Sequence, residues 1–182
     1  METIAAGHQI LAEISDSFNK VLPSQAARLL DEIRGAQRIF CVGAGRSRII
    51  LNAFCMRLNQ LGLESYVAGN VPCPPAGKGD LIIAASGSGT TPSVNAVLKR
   101  AKEAGGRVAL LTASPVQHLA GIVDLTVDIQ APNALVNRES QSRQLMRTLY
   151  EQVCFLLYES IIAALSENIP PEEIACRHTN LE

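Results

Sequence analysis

Leu81-Ile82-Ile83-Ala84-Ala85-Ser86-Gly87-Ser88-Gly89-Thr90-Thr91-Pro92 is the stretch that decides the fold. Five apolar residues in a row read as a short strand buried on both faces. Six residues of only Gly, Ser and Thr follow and read as a loop. Pro92 suits the first position of a helix, where its missing N–H costs nothing. The apolar spacing beyond it predicts a helix to about Ala104, stopped by Gly105-Gly106. The unit is therefore strand, loop, helix.

The same unit recurs on either side. Upstream, residues 38–42 read as a buried strand, followed by a glycine turn and a helix over 47–61 that Gly62 closes. Residues 64–67 make a further strand. Downstream, 107–112 and 123–129 read as strands, with a short helical turn near 116–120 between them. Short apolar strands separated by helices demand a parallel sheet covered on both faces. Right-handed crossovers then predict an α/β fold: a three-layer, doubly wound, five-stranded parallel sheet of flavodoxin-like type, strand order 2-1-3-4-5. Two helices precede it. One spans about 3–21, and the second has Ser24 as its N-cap and ends at Gly35. A loop (130–143), a long helix (144–166) and a short helix after Pro170-Pro171 complete the chain. Its 182 residues suit one domain, 1–182.

Composition narrows the partners. The chain is 47% hydrophobic and 18% charged, with a formal net charge of −1. Trp is absent and Phe and Tyr are few, which argues against nucleic acid. The five cysteines form no CxxC pair and read as buried thiols in a reducing compartment. The most apolar run, 153–165, is interrupted by Glu159 and is short for a bilayer, so no membrane partner is expected. No leader pattern is visible at the N-terminus, and a cytoplasmic location is expected.

In such a sheet, ligands bind beyond the carboxyl ends of the strands at the topological switch point, here between the first and third strands. The two glycine-rich loops follow those strands: Gly43-Ala44-Gly45-Arg46-Ser47 and Ser86-Gly87-Ser88-Gly89-Thr90-Thr91. In the second loop Gly87 and Gly89 let the backbone approach an anion. Ser86, Ser88, Thr90 and Thr91 supply hydroxyls at a helix N-terminus, where the dipole favours negative charge. Thr90 or Thr91 also reads as an N-cap and nothing more, but four hydroxyl residues among six exceed what a cap requires. The expected ligand is a phosphate monoester, with Arg46 and Ser47 as further contacts; Arg46 also reads as a solvated cation at a helix start. The first loop lacks the third glycine of a dinucleotide fingerprint, and neither loop has Gly-Lys-Ser/Thr. His8, His118 and His178 are isolated. No metal and no cofactor are expected, and any chemistry must be acid–base.

These loops, with Arg177-His178-Thr179-Asn180-Leu181-Glu182 at the end and Leu149-Tyr150-Glu151-Gln152 before it, resemble the 6-phospho-3-hexuloisomerases of the sugar isomerase (SIS) domain family. Met56-Arg57-Leu58 and Gly79-Asp80-Leu81 extend the resemblance over nearly the whole chain. It implies interconversion of D-arabino-hex-3-ulose 6-phosphate and fructose 6-phosphate. It implies that Ser47 and residues 86–91 hold the phosphate and that Glu151 accepts the proton. It also implies that His178 is a second active-site group, supplied by a neighbouring subunit of a homotetramer. Three positions depart from the family. Thr90 stands in place of Glu, Arg48 in place of Gly, and Leu145-Met146-Arg147 in place of Pro-Met-Gly. They leave open an isomerase for another sugar phosphate, or a sugar-phosphate sensor without turnover.

The residues suit that chemistry. A 3-ketose phosphorylated on O6 cannot close an easy ring and stays open-chain. Moving its carbonyl to C2 removes the C2 proton, passes through a 2,3-enediol and returns a proton to C3. One base must reach both carbons, and Glu151 suits that role, though alone it also reads as a surface glutamate of a helix. His178 suits proton transfer between O2 and O3, though alone it reads as an exposed tail histidine. The apolar run 153–165 has more than one covered face, which predicts a subunit interface and a homo-oligomer.

Overall fold

The computed structural model describes residues 2–132, 142 and 144–180. The loop expected over 130–143 lies largely outside these residues. Two helices come first, α1 (Thr3–Phe18) and α2 (Pro23–Gly35). The alternation follows: β1 (Ile39–Gly43), α3 (Gly45–Gln60), β2 (Ser65–Val67), β3 (Leu81–Ala85), α4 (Pro92–Glu103), β4 (Arg107–Thr112) and β5 (Leu125–Asp128). A single 3-10 turn, Gln117–Leu119, lies between the last two strands. Then come α5 (Thr148–Ser166) and α6 (Pro171–Cys176).

The five strands form one parallel sheet in the order β2-β1-β3-β4-β5, as the crossover rule predicts. Successive side chains point to opposite faces. Ile39, Cys41, Leu81, Ile83, Ala109, Leu111 and Val127 therefore pack on α2, α3 and α5. Phe40, Val42, Ile82, Ala84, Val108 and Leu110 pack on α4 and the 3-10 turn. Burial on both faces is why these strands are continuous apolar runs. At Gly43 a Cβ would sit 3.0 Å from both the Arg48 amide nitrogen and Leu51 Cδ1, so only glycine lets α3 start this close to the sheet.

Several boundaries shift by one to four residues from expectation, and two of the shifts have an evident cause. The second helix starts at Pro23, with Leu22 as its N-cap, because proline fits the first helical position; Ser24 lies inside it. The long helix starts at Thr148 and not at Gln144. Met146 has φ +54°, a left-handed conformation no α-helix passes through. The Thr148 hydroxyl instead donates to Leu145 O at 2.7 Å.

By length and composition α5 could cross a membrane. Its 19 residues exceed the 153–165 run. It is nevertheless a core helix here. Leu149, Tyr150, Val153, Cys154, Leu157, Tyr158 and Ile161 are buried, and Tyr158 stacks on Phe54 of α3 with centroids 4.5 Å apart. Phe155 and Leu156 remain exposed, as do Ile4 and Leu11 of α1 and Ile49 and Met56 of α3.

At the amino end of the sheet, Asp80 is the residue that sets β3. It is 1% exposed. Its carboxylate accepts from Arg38 Nε at 3.0 Å, from Arg38 Nη2 at 2.7 Å and from the Gly77 amide at 2.7 Å. Burial pushes its pKa up, but the Arg38 fork and the Gly77 N–H outweigh that and hold it below the ordinary carboxylate range.

Candidate active site

The cleft at the carboxyl ends of β1 and β3 has a volume of about 590 Å³. The amino ends of α3 and α4 both open into it. The first N–H groups of a helix have no intrahelical partner, and at neither helix does a cap side chain supply one. Ser47 lines the cleft from α3, and Ser86, Gly87, Ser88 and Thr91 line it from the second loop. Arg147, Thr148 and Glu151 close it from the start of α5.

The second loop is held by its carbonyls. Gly87 O accepts from the Ser114 hydroxyl at 3.0 Å and from the Ala113 amide at 3.2 Å. Gly89 O accepts from Asn95 Nδ2 at 3.1 Å and from His118 Nε2 at 2.9 Å. A carbonyl can only accept, so His118 carries its proton on Nε2. Ser86 Oγ and Thr91 Oγ1 lie 3.0 Å apart across the loop mouth. The amides of Gly87 and Ser88 have no hydrogen-bond partner among the described residues. With its carbonyls tied back and these amides free, the loop presents donors and few acceptors. That arrangement suits an anion and disfavours a cation.

Glu151 stands in the first turn of α5 and is buried. Arg46 Nε donates to its Oε2 at 2.5 Å. Its Oε1 has no hydrogen-bond partner among the described residues. One oxygen is thus fixed and the other is left able to take a proton. Below the carboxylate, the Tyr150 hydroxyl donates to Leu111 O at 2.8 Å and ties α5 to β4.

The structure brings together Arg46, Ser47, Ser86, Gly87, Ser88, Thr91 and Glu151. Arg46 was expected at the phosphate; its guanidinium instead engages Glu151, a pair 105 residues apart in sequence. Gly89 does not line the cleft, and its carbonyl is taken by Asn95 and His118, which do not line it either. Thr90 is exposed outside the lining, its amide donating to Ser88 Oγ at 3.2 Å. His178 is not in the cleft of its own chain. The adjoining Arg177 packs on Gly62 and reaches Gln60 O at 3.4 Å, at the carboxyl end of α3. Ser47 lies near the opposite end of that helix, so the two sites are separated by roughly 20 Å of helix at 1.5 Å per residue. Sequence reasoning did not foresee the supporting roles of Ser114, Asn95 and His118. A lone histidine or serine in a loop carries no signal of which carbonyl it will reach.

Comparison with known proteins agrees with this geometry. Residues 32–153 match the SIS domain model. The 3-hexulose-6-phosphate isomerase of Mycobacterium gastri is 40% identical over 172 residues, covering 93% of this chain and 86% of that protein. The 3-hexulose-6-phosphate isomerase of Bacillus subtilis (strain 168) is 34% identical over 185 residues and the whole length of both. A solved structure from Methanococcus jannaschii, for which 3-hexulose-6-phosphate isomerase function was inferred, has 31% identity and a TM-score of 0.80 over 97% of each chain. With this fold, these loops and these relatives, the chain belongs to the SIS domain family and to its 3-hexulose-6-phosphate isomerase branch.

Proposed function

We propose that this protein interconverts D-arabino-hex-3-ulose 6-phosphate and fructose 6-phosphate as one SIS domain acting in the cytoplasm. The observation that carries the reading is a buried carboxylate, held through one oxygen by Arg46, in the same cleft as an anion-binding loop. The substrate phosphate sits on the free amides of Gly87 and Ser88 with the hydroxyls of Ser47, Ser86, Ser88 and Thr91. That anchors the far end of an open-chain ketose. Glu151 Oε1 then removes the proton from C2 and returns one to C3. The negative charge that develops on the enediolate oxygens meets the uncapped N–H groups at the start of α3, already oriented and needing little reorganisation.

His178 moves protons between O2 and O3 from a neighbouring subunit of a homotetramer. Two observations support this. Within its own chain it lies at the wrong end of α3, and residues 175–180 are exposed. Apolar side chains on α1, α3 and α5, including Ile4, Leu11, Ile49, Met56 and Phe155, are exposed and available to a partner copy.

Subunit mixing tests this arrangement. Glu151→Gln and His178→Asn variants are each expected to turn over poorly. Unfolded together and refolded, they should form mixed oligomers in which some sites have both wild-type groups, and activity should return to a fraction of wild type. No recovery in oligomers shown to be mixed would contradict a shared site.

A further inference from the structure

The cleft has donors for a phosphate but, in the reading above, no cation committed to it. Arg46 is engaged with Glu151 through Nε, and Arg48, which does not line the cleft, donates to Asn70 Oδ1 at 2.8 Å. Arg147 is different. It lines the cleft, and its chain lies across the phosphate loop: a Cβ on Gly87 would be 2.7 Å from Arg147 Cδ. Its only side-chain hydrogen bond to a described residue is a long one, 3.4 Å from Nη2 to the Ser114 hydroxyl. No carboxylate among the described residues pairs with it.

A partly buried cation without an anion is costly, and the guanidinium's pKa is lowered by burial accordingly. The backbone also holds it there at a cost. Met146, immediately before it, has φ +54°, which for a non-glycine residue stores about 1–3 kcal/mol. The strained turn directs Arg147 over Gly87 and not along the surface.

We propose that Arg147 is the counter-charge for the phosphate of the substrate. A guanidinium presents a planar fork that matches two phosphate oxygens, and a phosphate dianion supplies the missing partner for the partly buried charge. Gly87 then has a second role, since any side chain there would displace the fork from the loop.

This inference rests on the reading that the loop takes the phosphate, and the test separates the two. Steady-state kinetics on the 3-ketose 6-phosphate, and inhibition by inorganic phosphate, are compared for wild type, Arg147→Gln and Arg147→Lys. In Arg147→Gln, KM and the phosphate inhibition constant should each rise about 10- to 100-fold, the effect of losing a charge-assisted hydrogen-bonded pair. Its kcat should move little by comparison. Arg147→Lys should recover part of the loss, because it restores the charge without the fork. If Arg147→Gln matches wild type in both constants while phosphate still inhibits, the role of Arg147 is overturned and the loop reading stands. A fall in kcat at unchanged KM also overturns it. If phosphate does not inhibit wild type, the loop reading fails and this inference falls with it.

Discussion

Replacing Glu151 with Gln should leave a protein that binds fructose 6-phosphate and scarcely turns it over. General-base catalysis is worth about 10²–10⁴ in rate, and kcat should fall within that range. The side chain keeps its shape, and the amide oxygen can still accept from Arg46 as Oε2 does now. The loop between β3 and α4, proposed to hold the phosphate, is untouched, so ligand affinity by calorimetry should change only a few-fold. Equal falls in kcat and kcat/KM would mark an interaction made in the transition state alone. Retention of more than about a tenth of wild-type turnover would remove Glu151 from the base role.

The largest stability effect is expected at the other end of the sheet. Asp80→Ala removes the carboxylate that takes both arms of Arg38 and the Gly77 amide. Breaking a buried pair from one side costs about 3–5 kcal/mol, and the partial exposure of Arg38 places this case near the lower bound. For a chain of this size about 3 kcal/mol lowers Tm by about 6–12 °C in calorimetry. The acid limb gives a second check. A depressed folded pKa means that Asp80 stabilises the fold above the unfolded value of about 3.9 and that this contribution drains away as pH falls through the folded value. Asp80→Asn lacks it at every pH, so its stability and that of wild type should converge on acidification. An unchanged gap down to the lowest pH would contradict the assignment.

Those two residues differ in how they appear in the sequence. Gly79-Asp80-Leu81 matched relatives without showing why; the reason is a bidentate pair with Arg38, 42 residues away. The strands were legible because burial on both faces leaves nothing but apolar residues, and β3 and β4 fall on the expected bounds. The start of α5 was not legible. Residues 144–147 keep helical composition, while the left-handed turn at Met146 is a tertiary choice. In the cleft, Gly, Ser and Thr marked the loop that lines it, because their chemistry is local. The partnership of Arg46 with Glu151 was hidden, since composition near Arg46 fits a phosphate contact equally well. Arg147 stood out only as a cation where the resembling sequences have glycine. Its position across Gly87 depends on the crossing of α5 over the loop.

The most direct test is turnover itself. Purified protein is incubated with D-arabino-hex-3-ulose 6-phosphate, and with pentulose and heptulose phosphates in parallel, and the products are identified by NMR. The account predicts fructose 6-phosphate from the first, formed far faster than any product from the others. No fructose 6-phosphate, with turnover of one of the other phosphates or of none, would contradict it.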